Sequence, residues 1–107
     1  MSLQELAQEI NQNARNKGFW EEDRNFGEMI ALMHSELSEA LEEHRAGRPA
    51  VWFDGPKPEG AAVELIDCII RALDTLYSMD LNGDIDSVLQ LKMDYNASRP
   101  YKHGKAY

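Results

Sequence analysis

The sequence predicts an all-α fold, a four-helix-type bundle built from residues 1–107 as one domain. Three observations carry this. Apolar residues recur at spacings of three and four in four separate segments, which puts them on one face of a helix in each. Ser2 with Glu5, and Asn25 with Glu28, set a short polar side chain three residues ahead of an acidic one, the pattern that satisfies free amides at a helix start. No stretch alternates apolar and polar residues over a useful strand length.

In chain order, the first helix begins at Ser2, carries Leu3, Leu6 and Ile10 on one face, and ends near Gly18. The second begins at Asn25 and runs through Met29, Met33, Leu37 and Leu41 to a stop at Gly47. Residues 47–60 read Gly-Arg-Pro-Ala-Val-Trp-Phe-Asp-Gly-Pro-Lys-Pro-Glu-Gly. Three prolines forbid regular helix and three glycines permit sharp turns, so this segment is expected to be a loop over the site. The third helix starts near Glu59 and reaches about Met79. Its apolar arc, from Leu65 and Ile66 round to Leu73 and Tyr77, is wider than one neighbour covers, which points to a homodimer or homotetramer. Asn82-Gly83-Asp84 makes a turn, and the fourth helix, about Ile85 to Ser98, stops before Pro100.

Composition narrows the function. A chain of 107 residues closes one core with little surplus. A net charge of -8 argues against nucleic acid or an anionic membrane as a partner, because both reward basic surfaces. The single cysteine, Cys68, lies on an apolar stripe and reads as a packed residue, so no disulfide forms within one chain. The N-terminus lacks a basic region followed by an apolar run, and Arg71 closes the longest aliphatic stretch after three residues. The expectation is a cytoplasmic protein with neither a leader nor a membrane span.

The functional signal is a repeated carboxylate pair. Glu36-Leu37-Ser38-Glu39 and Glu64-Leu65-Ile66-Asp67 flank residues 40–63, and each projects two carboxylates from one helix face. Both pairs border apolar stripes, so two packed helices would bring Glu36, Glu39, Glu64 and Asp67 together as a site for a hard cation, Mg2+ or Mn2+. The charge is also sorted along the chain, with +3 over residues 92–107 against -11 over residues 1–91. Lys92, Asn96 and Arg99 share a helix face, and Lys102, His103 and Lys105 follow in a tail, a row suited to phosphate oxygens. A carboxylate cluster and a basic row are the two halves of a metal-dependent phosphate site.

At these residues the chain resembles the MazG-like all-α nucleoside triphosphate pyrophosphohydrolases, whose signature is Glu-x-x-Glu, a variable spacer, then Glu-x-x-Asp. Glu36, Glu39, Glu64 and Asp67 match it position by position. The resemblance extends through Lys57-Pro58-Glu59-Gly60 and through the ending from Lys92 to Lys105, and covers about residues 25 to 105. It implies magnesium-dependent hydrolysis of a (d)NTP between its α and β phosphates, to a nucleoside monophosphate and pyrophosphate, in the service of nucleotide-pool cleansing. It also implies that the four carboxylates hold the metal, one of them serving instead as base, and that the basic row grips phosphate. Phe19, Trp20 and Trp52 are candidates for stacking on the base. Two other classes share part of the pattern. A non-catalytic acidic interaction module explains the helices and their charge but not two matched pairs. A di-iron carboxylate bundle uses Glu-x-x-His pairs, and no histidine here has a glutamate three residues before it.

Overall fold

The computed structural model describes residues 1–101: four α-helices and one two-stranded sheet. Helix α1 (Leu3–Asn16) starts where the sequence places it, with a reciprocal cap. The Ser2 hydroxyl accepts from the Glu5 amide at 3.0 Å, and Glu5 Oε1 accepts from the Ser2 amide at 3.2 Å. Helix α2 (Phe26–Arg45) is capped by the Asn25 side chain, which accepts from the Glu28 amide, and α4 (Ile85–Ser98) by Asp84, which accepts from the Ser87 amide. Helix α3 (Ala61–Ser78) begins at Gly60 without a side-chain cap.

The loop expected over residues 47–60 is corrected: it contains an antiparallel hairpin of β1 (Trp52–Asp54) and β2 (Lys57–Glu59). Gly55 at φ 60° followed by Pro56 supplies a two-residue turn, as hairpins require. Pro58 sits opposite Phe53. It has no amide to give, so it is tolerated only because a two-stranded ribbon has free edges. The fold is therefore mostly helical rather than purely α. The base of the hairpin is fixed by Gly60, at φ 120°, where an added Cβ would lie 2.2 Å from the Ala50 carbonyl oxygen. That same oxygen accepts from the Ala62 amide at 3.0 Å, which locks the start of α3 against the segment that precedes β1 in sequence.

Helix α3 is the central element, with α2 and α1 packed on it. Met29 of α2 meets Thr75, and Glu36 meets Arg71, so α2 and α3 run antiparallel. The hydrophobic cluster is small: Ala7, Leu73 and Ile85 are buried, with Leu6, Ile10, Leu76 and Tyr77 packed around them. Beneath it lies a polar pin. Asp74, 6% exposed, accepts from Asn11 Nδ2 at 2.8 Å, Trp20 Nε1 at 3.1 Å and Arg24 Nη1 at 3.2 Å. Helix α4 docks by its first turn. Ile85 enters the cluster, and the Asp86 carboxylate accepts from the Leu3 and Gln4 amides at 2.9 and 3.0 Å. Beyond that turn, Leu89, Leu91, Met93 and Tyr95 are exposed. The radius of gyration is 16.4 Å, where a compact chain of this length has about 13 Å.

Asp86 thus caps another helix, α1, across the fold. Asp86→Ala is expected to lower the free energy of unfolding by about 2 kcal/mol, since it removes two charge-assisted bonds from amides at a helix start. Urea denaturation followed by circular dichroism measures this, and a loss below about 0.5 kcal/mol would mean that water replaces the cap.

Candidate functional site

Because α2 and α3 run antiparallel, the first carboxylate pair meets the second. Glu36, Glu64 and Asp67 each present a carboxylate oxygen, and the three oxygens lie within 4.8 Å of one another. Glu36 is 7% exposed. Glu64 Oε2 is shut away from solvent and has no hydrogen-bond partner. Glu39 does not join the three-way meeting point. It is exposed and flanks Glu64 on the outer side, where both border a second recess. The expected cluster of four is therefore three inward carboxylates and one outward.

Four acidic groups at such spacing cannot all ionise without cost. Burial, reinforced by hydrogen bonds with Glu36 and Glu39 and by the charges of Glu39 and Asp67, pushes the Glu64 carboxyl up to about 8. Asp67 is raised by burial and by the Glu36 charge. Burial would raise Glu36 as well, but the hydrogen bond from Arg71, aided by one with Glu64 and by the Arg71 charge, outweighs it and holds Glu36 below its ordinary value. Arg71 Nε lies 2.8 Å from Glu36 Oε1.

The donor set consists of hard carboxylate oxygens, without imidazole or thiolate. It includes a buried oxygen that lacks a donor. Both features fit a hard divalent cation such as Mg2+ or Mn2+ better than zinc. Next to the cluster is a cavity of about 580 Å³, which Glu36, Asp67 and Arg71 line on one side. Ile10, Ala14, Phe19, Met29 and Ile70 supply its apolar wall. On the hairpin side, a recess of about 430 Å³ is bordered by Glu39, Glu64, Arg48 and Lys57. Lys57 itself is paired with Glu59 at 2.9 Å.

Of the aromatic candidates, Phe19 borders the large cavity and is 65% exposed. Trp20 is not available for stacking. The guanidinium carbons of Arg15 and Arg24 lie 5.1 and 5.0 Å from its ring centre, and its Nε1 is spent on Asp74. Trp52 is half-buried in β1 with Arg48 5.4 Å above its ring, and it lines neither cavity. Lys92 in α4 and Arg99, the residue that caps its C-terminus, both approach the Tyr95 ring, at 5.3 and 5.5 Å, and Asn96 stands one helical turn after Lys92. Among the described residues, no α4 side chain lines either cavity. Lys102, His103 and Lys105 lie outside the described residues.

The cations that do stand near the carboxylates, Arg71 and Lys57, are not singled out as phosphate ligands by sequence reasoning. Arg71 has one available signal, its place one helical turn after Asp67. Comparison with models of known families, with curated proteins and with solved structures finds no match for the chain.

The raised Glu64 value has a consequence for stability. The folded protein holds a proton on Glu64 up to about pH 8, whereas the unfolded chain releases it near the ordinary 4.5. Glu64 therefore binds more protons in the folded state across that interval, and its contribution to stability falls as pH rises from about 4.5 to 8 and then levels. Glu64→Gln should flatten this decline in melting temperature. A variant that tracks the parent over the same pH range would show that Glu64 carries no buried proton.

Proposed function

We propose that the protein hydrolyses nucleoside triphosphates between the α and β phosphates in a magnesium-dependent reaction, releasing a nucleoside monophosphate and pyrophosphate. The observation that carries this reading is the meeting of Glu36, Glu64 and Asp67 beside a cavity with an apolar wall. Carboxylates at one end and an apolar wall at the other suit a molecule with a metal-chelating polyphosphate and a flat apolar base. The resemblance of the two motifs to MazG-like enzymes supports the same chemistry.

Glu36, Glu64 and Asp67 would hold the cation, which when bound supplies Lewis-acid stabilisation of charge on the phosphate oxygens. Water adds to one of the two phosphorus atoms that flank the α–β bridge, and the bridging bond breaks. Glu39 is the best placed base for the water's proton, since it stands next to Glu64 but outside the three-way meeting point. Phe19, at the cavity rim, is the aromatic side chain positioned to meet a base.

We also propose that the working form is a homo-oligomer. Leu37 and Leu41 on α2 and Leu65, Ile66 and Ile69 on α3 are about half exposed, as is most of α4. Isolated helices of 14 residues are marginal in water, so α4 needs cover beyond its first turn. A second copy that packs on these faces would also deliver Lys92 and Asn96 toward a carboxylate cluster whose two adjoining cavities no α4 side chain among the described residues lines.

Incubation with a nucleotide panel and Mg2+ should release pyrophosphate from at least one triphosphate, and Glu64→Gln should lower the rate about a hundredfold or more. Mg2+ should raise the melting temperature of the parent, because a cation that binds only the folded form adds stability. Absence of pyrophosphate from every nucleotide, with Mn2+ as well as Mg2+, would end this reading.

Delivery of the basic row between copies has its own test. A Lys92→Ala/Asn96→Ala double variant and the Glu64→Gln variant should each be nearly inactive. After mixing through mild denaturant, they should regain activity, because some interfaces then pair an intact cluster with an intact row. Mixtures no more active than the separate variants would place both groups on one chain.

A further inference from the structure

We infer that Arg71 is a phosphate-binding residue, whose pairing with Glu36 is a resting contact that leaves the outer nitrogens of its guanidinium for an anionic oxygen in the adjoining cavity. This rests on the proposed triphosphate reading of the same site. Three observations support it.

The first is position. Arg71 is one turn beyond Asp67 on α3 and lines the cavity of about 580 Å³ together with Glu36 and Asp67. An oxygen bound to a cation held by those carboxylates would therefore have Arg71 as a neighbour. The second is spare donor capacity. Arginine carries five N–H donors in a planar fork, and among the described residues Arg71 uses Nε alone, on Glu36 Oε1 at 2.8 Å. Nη1 and Nη2 remain for a second acceptor. The third is the commitment of the other cation on the cavity. Arg24 pairs through Nη1 with the buried Asp74 at 3.2 Å, stacks over Trp20 and has a side chain only 18% exposed. Arg71 is thus the more open of the cavity's two arginines, with its side chain 37% exposed, and no other Lys or Arg among the described residues is ion-paired to Glu36, Glu64 or Asp67.

Charge balance gives the reason for two successive partners. Before a ligand enters, the guanidinium offsets the Glu36 charge in an acidic cluster. Once a divalent cation takes up that role, the guanidinium can accept a phosphate oxygen in the bidentate geometry that arginine favours.

The test uses the 107-residue chain and separates metal binding from phosphate binding. Parent, Arg71→Gln and Arg71→Lys are titrated with Mn2+ alone and with the Mn2+ complex of inorganic tripolyphosphate, by calorimetry, with melting curves to confirm folding. Mn2+ alone should bind Arg71→Gln no more weakly than the parent, since a neighbouring positive charge has been removed. The tripolyphosphate complex should bind it at least about tenfold more weakly, and Arg71→Lys should restore part of the loss. Tripolyphosphate affinity within twofold of the parent overturns the inference. So does an equal loss of both affinities, which would make Arg71 only a support for Glu36. If Arg71→Gln does not fold, Arg71→Lys decides: it keeps the charge but not the fork, and an unchanged tripolyphosphate affinity overturns the assignment. A parent that binds tripolyphosphate through Arg71 but releases pyrophosphate from no nucleotide would sink the enzymatic reading and leave this inference standing.

Discussion

Asp74 is the point on which the arrangement depends. A carboxylate almost closed to water must be answered by donors, because an unpaired buried charge costs several kcal/mol. Its donors come from Asn11 on α1 and from Trp20 and Arg24 in the connection to α2. One side chain of α3 therefore fixes both the first helix and the segment after it. Asn11 in turn accepts from Arg15 at 2.8 Å, and Arg15 and Arg24 stack on the Trp20 ring. The hydrophobic cluster is too small to set these positions by packing alone, so a polar network sets them. The same network holds Phe19 at the cavity rim, one residue before Trp20.

A second constraint acts at the carboxylate cluster. Bringing Glu36, Glu64 and Asp67 together lowers stability through repulsion and desolvation, and the protein relieves this in two ways, with a proton on Glu64 and a guanidinium on Glu36. Each relief is reversible, whereas a packed leucine in the same place would not be. The hairpin adds a third boundary, with Lys57 and Glu59 closing the recess on the far side of Glu64. A site built in this way is costly when empty, which is the state a binding partner can exploit.

Much of the helical framework is legible in the sequence because caps and periodicity are local signals. The caps at Ser2 and Asn25 and the helix start at Ile85 all stand where their local chemistry predicts. The hairpin is not legible for an equally local reason. Strands of three residues are too short to show alternation, and Pro58 argues against a strand by every ordinary rule. Helical spacing gives Glu36 and Glu39 one shared face, yet it cannot tell on which side of that face α3 lies, so the division into one buried and one exposed carboxylate needs the tertiary structure. Arg71 meets Glu36 across 35 positions, and Asp74 meets Asn11 across 63. Sequence pattern alone carries no trace of either contact. Trp20 shows the same limit: a candidate for base stacking in sequence, it is a structural residue in space.

The hairpin also divides its own residues by how freely they can change. At Gly60 a Cβ would collide with the Ala50 backbone, whereas at Gly55 nothing lies within 4 Å of where a Cβ would be. Lengthening a surface turn changes loop entropy only slowly. The tip at Gly55 and Pro56 can thus be extended or given new side chains while the base at Gly60 keeps the start of α3, and with it Glu64, in register. Such a hairpin is a natural graft point: evolution or an engineer could alter what overhangs the acidic recess without rebuilding the helices that form it.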